Sequence, residues 1–68
     1  MTTGEKIRCR RRELKMSMDK LSETAGIAKV TIYRIEKNIV KKFHPSTLKL
    51  IAEALGTKAI ELLGDDNA

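Results

Sequence analysis

The 68-residue sequence is poor in the residue types on which enzymes and metalloproteins depend. It has one cysteine, one histidine, one tyrosine, one phenylalanine and no tryptophan. The single cysteine, Cys9, excludes an internal disulfide and a cysteine-based zinc site. The sequence also has no catalytic triad, no convergent group of carboxylates and no glycine-rich phosphate loop. We therefore expect neither an enzyme nor a protein with a metal site, another cofactor or a small-molecule ligand.

Long apolar runs are missing as well. No segment approaches the about 18 consecutive apolar residues of a membrane span, and the polar start of the sequence lacks the apolar core of a signal peptide. These absences predict a soluble, cytoplasmic protein without membrane contact, and the lone cysteine fits a reducing compartment. A single domain of this size has a core near the lower limit for independent folding, so association into a homodimer is a natural source of stability.

Positive charge, by contrast, is abundant and unevenly distributed. Residues 1–42 contain twelve Lys or Arg against five Asp or Glu, a net charge of +7, whereas residues 43–68 carry −2. The overall charge is +5. A basic half of this kind is typical of a domain that directs one surface at a polyanion such as nucleic acid.

The basic half contains the most informative pattern, which is two short helices separated by one glycine. Ser17 is a good N-cap for a helix over residues 18–25, because its hydroxyl can accept a hydrogen bond from a free backbone N–H. Gly26 stands where the chain must adopt a positive φ to end that helix, and Ile27 can anchor the turn. A further helix then begins near Ala28.

This further helix is amphipathic. It directs Ile32 and Ile35 inward at i and i+3, so its other faces carry cations, a hydroxyl, an aromatic ring and a branched apolar side chain. These residues are Lys29, Val30, Thr31, Tyr33 and Arg34. Such a surface suits the floor of a DNA major groove.

Three more helices and no strands complete the predicted all-α fold. The first helix of the chain spans residues 5–15. The fourth begins at Pro45, which is favoured at the first helical position, and Gly56 ends it. Thr57 can cap a short fifth helix, after which residues 65–68 form a frayed tail. The residues placed on the inward faces of the first and fourth helices are Ile7, Arg11, Leu14, Leu48, Ile51, Ala52 and Leu55.

Several short motifs occur in a fixed order along the chain. An apolar residue with Ser, a Leu-Ser pair, an Ala-Gly pair followed by Ile, and a final Ile-Glu lie within residues 16–36, and the run HPSTLKLIAEALG follows at 44–56. This ordered set resembles the phage Cro and C1 repressor family, also called the XRE family, over nearly the whole chain. The resemblance implies a compact five-helix lambda-repressor-like domain over residues 1–64, with its helix-turn-helix at the second and third helices.

The resemblance also implies a DNA-binding surface. Family positions that read bases are matched here by Lys29, Val30, Thr31, Tyr33 and Arg34, of which Arg34 is best suited to bidentate binding of guanine. A second group is implied to bind the phosphate backbone with salt-sensitive affinity and little sequence preference. Its members are Ser17, Met18, Lys37, Asn38, Lys41 and Lys42.

Arg11 and Glu36 occupy the positions of an Arg and a Glu that pair between the first and third helices in several phage repressors. Arg11 lies on an otherwise apolar face and Glu36 ends the third helix, so both charges must be paired if packing buries them. The alternative is two independent surface charges, which add little to stability.

The sequence therefore predicts a sequence-specific, double-stranded-DNA-binding transcriptional regulator, a repressor, that acts as a homodimer on a roughly palindromic operator. A dimer is also supported by the apolar residues near the C-terminus, because one short helix cannot bury all of them on one face. These residues are Ile60, Leu62 and Leu63. One alternative is an antitoxin-like or antirepressor-binding module that uses the same fold to hold a protein partner, such as a toxin or an antirepressor. An RNA-associated domain fits less well, because the aromatic residues that stack on single strands are nearly absent.

Overall fold

The structure, a computed structural model, describes residues 1–65. This part of the chain forms five α-helices and no strand, which confirms the predicted all-α fold. No helix among these residues is long and apolar enough to cross a lipid bilayer. The helices are α1 (Thr3–Glu13), α2 (Met18–Ala25), α3 (Lys29–Glu36), α4 (Pro45–Ala54) and α5 (Ala59–Leu62).

The start of α1 lies two residues before the predicted start. Thr2 and Glu5 form a capping box, in which each side chain binds the other residue's backbone N–H. The Thr2 N–H donates to Glu5 Oε1 at 2.8 Å, and this hydrogen bond lowers the pKa of the Glu5 carboxyl. Because the box satisfies free backbone N–H groups, the helix already begins at Thr3.

The end of α1 also lies two residues before the predicted end. Lys15 adopts a left-handed φ of 54°, and the Met16 N–H donates to the Arg11 carbonyl oxygen at 3.0 Å, an arrangement that closes a helix. Leu14 was expected to face inward, and this prediction is wrong. It is the C-cap residue and 43% exposed, because the chain has already left the helical path there.

One hydrophobic core lies between the helices, and all five helices contribute to it. The partly buried Phe43 packs against it and thereby anchors the segment that joins α3 to α4. The buried core residues are Ile7, Leu21, Ala25, Ile32, Ile35, Leu48, Ile51, Ala52, Leu55 and Leu62.

Both ends of α4 are capped by side chains. His44 Nδ1 accepts a hydrogen bond from the Ser46 N–H at 3.1 Å at the start of the helix. At the other end Gly56 has a left-handed φ of 67°, and Arg10 of α1 donates its Nε–H to the Leu55 carbonyl oxygen at 3.1 Å. A cation on a free carbonyl at a helix C-terminus is favourable, so Arg10 attaches α1 to α4.

The prediction that Thr57 caps α5 is wrong. The N-cap residue is Lys58, and its side chain makes no capping hydrogen bond. Thr57 Oγ1 instead donates to Glu61 Oε2 at 2.9 Å, one turn further along the chain. The hydroxyl is therefore bound to a side chain and not to the free backbone of the helix.

The end of the described chain contacts its beginning. The Gly64 N–H donates to Thr3 Oγ1 at 3.0 Å, and a Cβ at Gly64 would collide with the backbone at the start of α1. Of the frayed tail predicted at 65–68, only Asp65 is described, and its N–H donates to the Met1 carbonyl oxygen at 2.9 Å. The rest of that tail lies outside the described residues.

Candidate nucleic-acid interface

A hydrogen-bonded turn joins α2 to α3. Gly26 ends α2 with a left-handed φ of 71°, and its N–H donates to the Ser22 carbonyl oxygen at 2.9 Å. The Ile27 N–H donates to the same oxygen at 3.2 Å, and Ser22 Oγ donates to the Ile27 carbonyl oxygen at 2.6 Å. Ser22 is thus a positioning residue that was not predicted. Its signals in the sequence are its place in the Leu-Ser pair and a hydroxyl one helical turn before a helix-ending glycine.

α3 buries one side and exposes the other. Ile32 and Ile35 are at most 1% exposed, as their spacing predicts. Four of the five residues predicted to read bases are exposed, and three of these, Val30, Tyr33 and Arg34, lie on the side of the helix opposite the core, while Thr31 is half-buried. The exposed four are Lys29, Val30, Tyr33 and Arg34.

The beginning of α2 offers a hydroxyl and backbone N–H groups. Ser17 Oγ accepts a hydrogen bond from the Lys20 N–H at 3.0 Å, which leaves the hydroxyl hydrogen as a donor. Met18 packs against the core, so at this position the backbone is the group suited to an anion. Next to it, Asp19 Oδ1 lies 2.9 Å from Lys29 Nζ, in an exposed ion pair that joins the first turns of α2 and α3.

The chain beyond α3 carries the other residues predicted to bind phosphates. Asn38 has a left-handed φ of 61°, as expected of a helix-ending residue, and is half-buried. Lys41 and Lys42 are exposed in the segment before α4. Lys37 is also exposed, with its ammonium 5.9 Å from the centre of the Tyr33 ring, within the range of a cation–π contact.

Arg11 and Glu36 meet behind this surface. Arg11 Nε donates to Glu36 Oε2 at 2.8 Å and Nη2 donates to Oε1 at 3.0 Å, so the pair is bidentate. The remaining arm, Nη1, donates to the Met16 carbonyl oxygen at 2.9 Å. Glu36 is only 3% exposed, and its hydrogen bond raises the pKa of the Arg11 guanidinium. One side chain therefore links α1, the segment before α2 and the end of α3.

A second contact between α1 and α3 involves only backbone. Gly4 packs so closely on α3 that a Cβ would collide with the Ile35 carbonyl oxygen. The local sequence gives no reason for a glycine at this position, because helices generally favour other residues. It places the last turn of α3 directly against α1.

Several cationic side chains of α1 form hydrogen bonds with other parts of the domain. Lys6 Nζ donates to the Leu63 carbonyl oxygen at 2.8 Å, while Arg10 binds the end of α4 and Arg11 binds Glu36. These side chains hold the helices together. They are therefore distinct from the exposed cations on α3 and after it.

Two short helices joined by a glycine turn, with polar and cationic side chains exposed on the second, define a helix-turn-helix domain. A family model described as a helix-turn-helix domain matches residues 4–64. The chain belongs to this family. No curated protein matches the sequence significantly.

Solved repressor structures are similar to the chain. The biofilm regulator SinR in complex with DNA has a TM-score of 0.88 at 28% identity, over 93% of this chain and 100% of that chain. The same TM-score and identity are found for SinR in a complex with SinI, of which the match covers 62%. The P22 c2 repressor on a synthetic operator gives a TM-score of 0.83 at 28% identity, over 93% of this chain and 94% of that chain. The SinR domain is from Bacillus subtilis. The fold of the chain is that of the DNA-binding domains of Cro/C1-type repressors.

Proposed function

We propose that this chain is a transcriptional repressor that binds double-stranded DNA sequence-specifically, with α3 in the major groove. The observation that carries the proposal is the exposed side of α3. It presents two cations, an aromatic hydroxyl and an apolar side chain on a helix whose other side is locked into the core. An α-helix fits the major groove, where each base pair shows its own pattern of donors, acceptors and methyl groups.

The exposed residues of α3 differ in what they can recognise. The Arg34 guanidinium suits the O6 and N7 acceptors of guanine, and the exposed Val30 suits a thymine methyl group. Lys29 can donate to guanine or to a phosphate, and Tyr33 and Thr31 can donate through their hydroxyls. We assign these five residues to base reading.

A second group is proposed to bind the phosphate backbone on both sides of α3. Ser17 and the Met18 N–H stand at the start of α2, where the helix dipole favours an anion. The segment after α3 adds three exposed lysines and a half-buried asparagine. The group on that side consists of Lys37, Asn38, Lys41 and Lys42.

Relatives of the chain support DNA as the ligand. SinR and the P22 c2 repressor have each been solved in complex with DNA, and the likeness covers 93% of this chain in both cases. The chain also has a net charge of +5, a basic balance that is typical of DNA-binding domains.

We further propose a homodimer. Leu62 is buried within the chain, but Ile60 is 72% exposed and Leu63 is 55% exposed, so the C-terminal segment leaves apolar surface uncovered. A twofold pair would place its α3 helices on half-sites about one turn of DNA, ~34 Å, apart. The same surface favours the alternative function, a module that holds a protein partner, and SinR has been solved in a complex with SinI.

Selection of bound fragments from a random duplex pool, followed by binding titrations, tests the function. We expect a selected duplex to bind more tightly than a shuffled duplex or either single strand. Affinity should fall with salt at a log-log slope of about −0.9 for each phosphate neutralised. Equal affinity for single strands and duplex, or no dependence on salt, contradicts binding in the groove.

Sedimentation with and without the selected duplex separates the two functions. The dimer model requires two chains on each selected duplex and an approximately palindromic sequence. A strict monomer that binds one chain per site would refute the palindromic-operator model and favour the partner-binding module.

A further inference from the structure

We propose that Asp19 determines specificity by holding the Lys29 ammonium at the DNA-facing end of α3 and keeping it from neighbouring phosphates. This inference rests on the proposed function. It assigns a role to Asp19, a carboxylate within this basic surface for which the sequence predicts none.

The geometry places the pair at the edge of the proposed groove contact. Lys29 is the first residue of α3, and its Nζ lies 2.9 Å from Asp19 Oδ1 in the first turn of α2. The Lys29 side chain is 56% exposed and that of Asp19 is 75% exposed, so both are open to a ligand. A lysine has a long flexible stem, and the ion pair restricts where its charge can go.

Stability does not require this contact. Exposed ion pairs contribute little to folding. Asp19 is already favourable in the first turn of α2, where a negative charge faces the positive end of the helix dipole. The pair is therefore better explained by what it does to Lys29 than by what it adds to the fold.

The carboxylate acts differently on specific and non-specific DNA. An ammonium has three donors, so Lys29 can keep Asp19 as one acceptor while it donates to a guanine. While the two are paired, the charge of Asp19 offsets that of Lys29, so the pair adds little attraction for an arbitrary phosphate, whereas the hydrogen bond to a guanine does not depend on a net charge. Asp19 thus weakens non-specific binding more than binding to the selected sequence, which raises the ratio of the two affinities.

The test compares Asp19→Asn with the wild-type protein on the selected duplex and on a shuffled duplex. We expect the variant to bind the shuffled duplex about threefold to tenfold more tightly and to show a steeper salt dependence there. Affinity for the selected duplex should change less, so the specificity ratio falls. Glu23→Gln is the matched control, since it removes the same charge from an exposed position of the same helix.

A second background identifies the route of the effect. If Asp19 acts through Lys29, Asp19→Asn should no longer change the ratio when Lys29→Met is already present. A ratio that Asp19→Asn and Glu23→Gln lower equally, or that Asp19→Asn lowers equally in both backgrounds, overturns the inference and leaves the proposed function intact. A wild-type protein that binds no duplex overturns both.

Discussion

The buried Arg11–Glu36 pair allows a sharp prediction about stability. The Glu36 side chain is 2% exposed and that of Arg11 is 12% exposed. Glu36→Gln removes the charge that balances the guanidinium, and breaking such a pair costs about 3 to 5 kcal/mol. We expect a loss near the lower limit, about 3 kcal/mol, because Arg11 keeps its hydrogen bond to the Met16 carbonyl oxygen at 2.9 Å.

A loss of that size is a large share of the stability available to this chain. Small domains are stable by roughly 0.05 to 0.15 kcal/mol per residue, which for a chain of this length is about 3 to 10 kcal/mol. Each kcal/mol lowers the melting temperature of such a domain by about 4 to 8 °C, so Glu36→Gln should melt at least about 12 °C lower.

Urea unfolding followed by circular dichroism measures the pair directly. Arg11→Met, Glu36→Gln and the double variant form a cycle, and we expect their losses to differ from additivity by about 2 kcal/mol. The exposed Asp19–Lys29 pair is the control cycle, with a coupling of about 1 kcal/mol or less. Additive losses at Arg11 and Glu36 would refute the reasoning, since two charges that share hydrogen bonds cannot be removed independently.

Four further predictions concern single positions. Arg34→Ala should cost about 1 to 3 kcal/mol on the selected duplex and relax the preference at one base pair, whereas Lys41→Ala should weaken all duplexes alike; titration against single-base variants distinguishes the two. Gly4→Ala should destabilise the domain by more than the usual effect of a surface change, because its Cβ would collide with the α3 backbone, and a melting curve unchanged from wild type contradicts that contact. Lys15→Gly should raise the free energy of unfolding, measured by urea titration, by about 1 kcal/mol. The position has a left-handed φ of 54°, which glycine adopts without the steric cost of a side chain. The pKa of Glu5 is lowered from its ordinary value of 4.5, so the ionised carboxylate stabilises the fold at any pH above 4.5. This stabilisation is lost as the pH falls through the lower pKa that Glu5 has in the folded protein. The stability advantage of wild type over Glu5→Gln should therefore be present at neutral pH and vanish in acid.

The fold was largely predictable because its signals are local. Ser17 and Gly26 mark the two ends of α2 through the hydrogen bonding and backbone angle that those ends require. Ile32 and Ile35 reveal the inward side of α3 through their spacing alone. The predicted end of α1 was less accurate because Lys15 closes the helix in a left-handed conformation that lysine seldom adopts, so no residue type indicates the end.

The candidate site likewise has residues that the sequence pattern predicts and contacts that it does not. The exposed residues of α3 follow from the amphipathic pattern, and their assignment to bases remains a prediction. The contact of Asp19 with Lys29 depends on the angle between α2 and α3, and that of Ser22 with Ile27 depends on the path of the turn after Gly26. Gly4 depends on a neighbour more than thirty residues away in sequence. No periodicity within one helix contains that information.

These contacts share a consequence for how the surface can change. α3 has eight residues, too few to be stable as an isolated helix, so its shape depends on its neighbours. It is held by the Ser22 turn at its start, by the Gly4 backbone contact near its end, and by the Arg11 pair at Glu36. None of these uses the exposed side chains at positions 29, 30, 33 and 34. Substitutions at those four positions should therefore alter which DNA is bound while leaving the helix in place, so that recognition and stability can change independently.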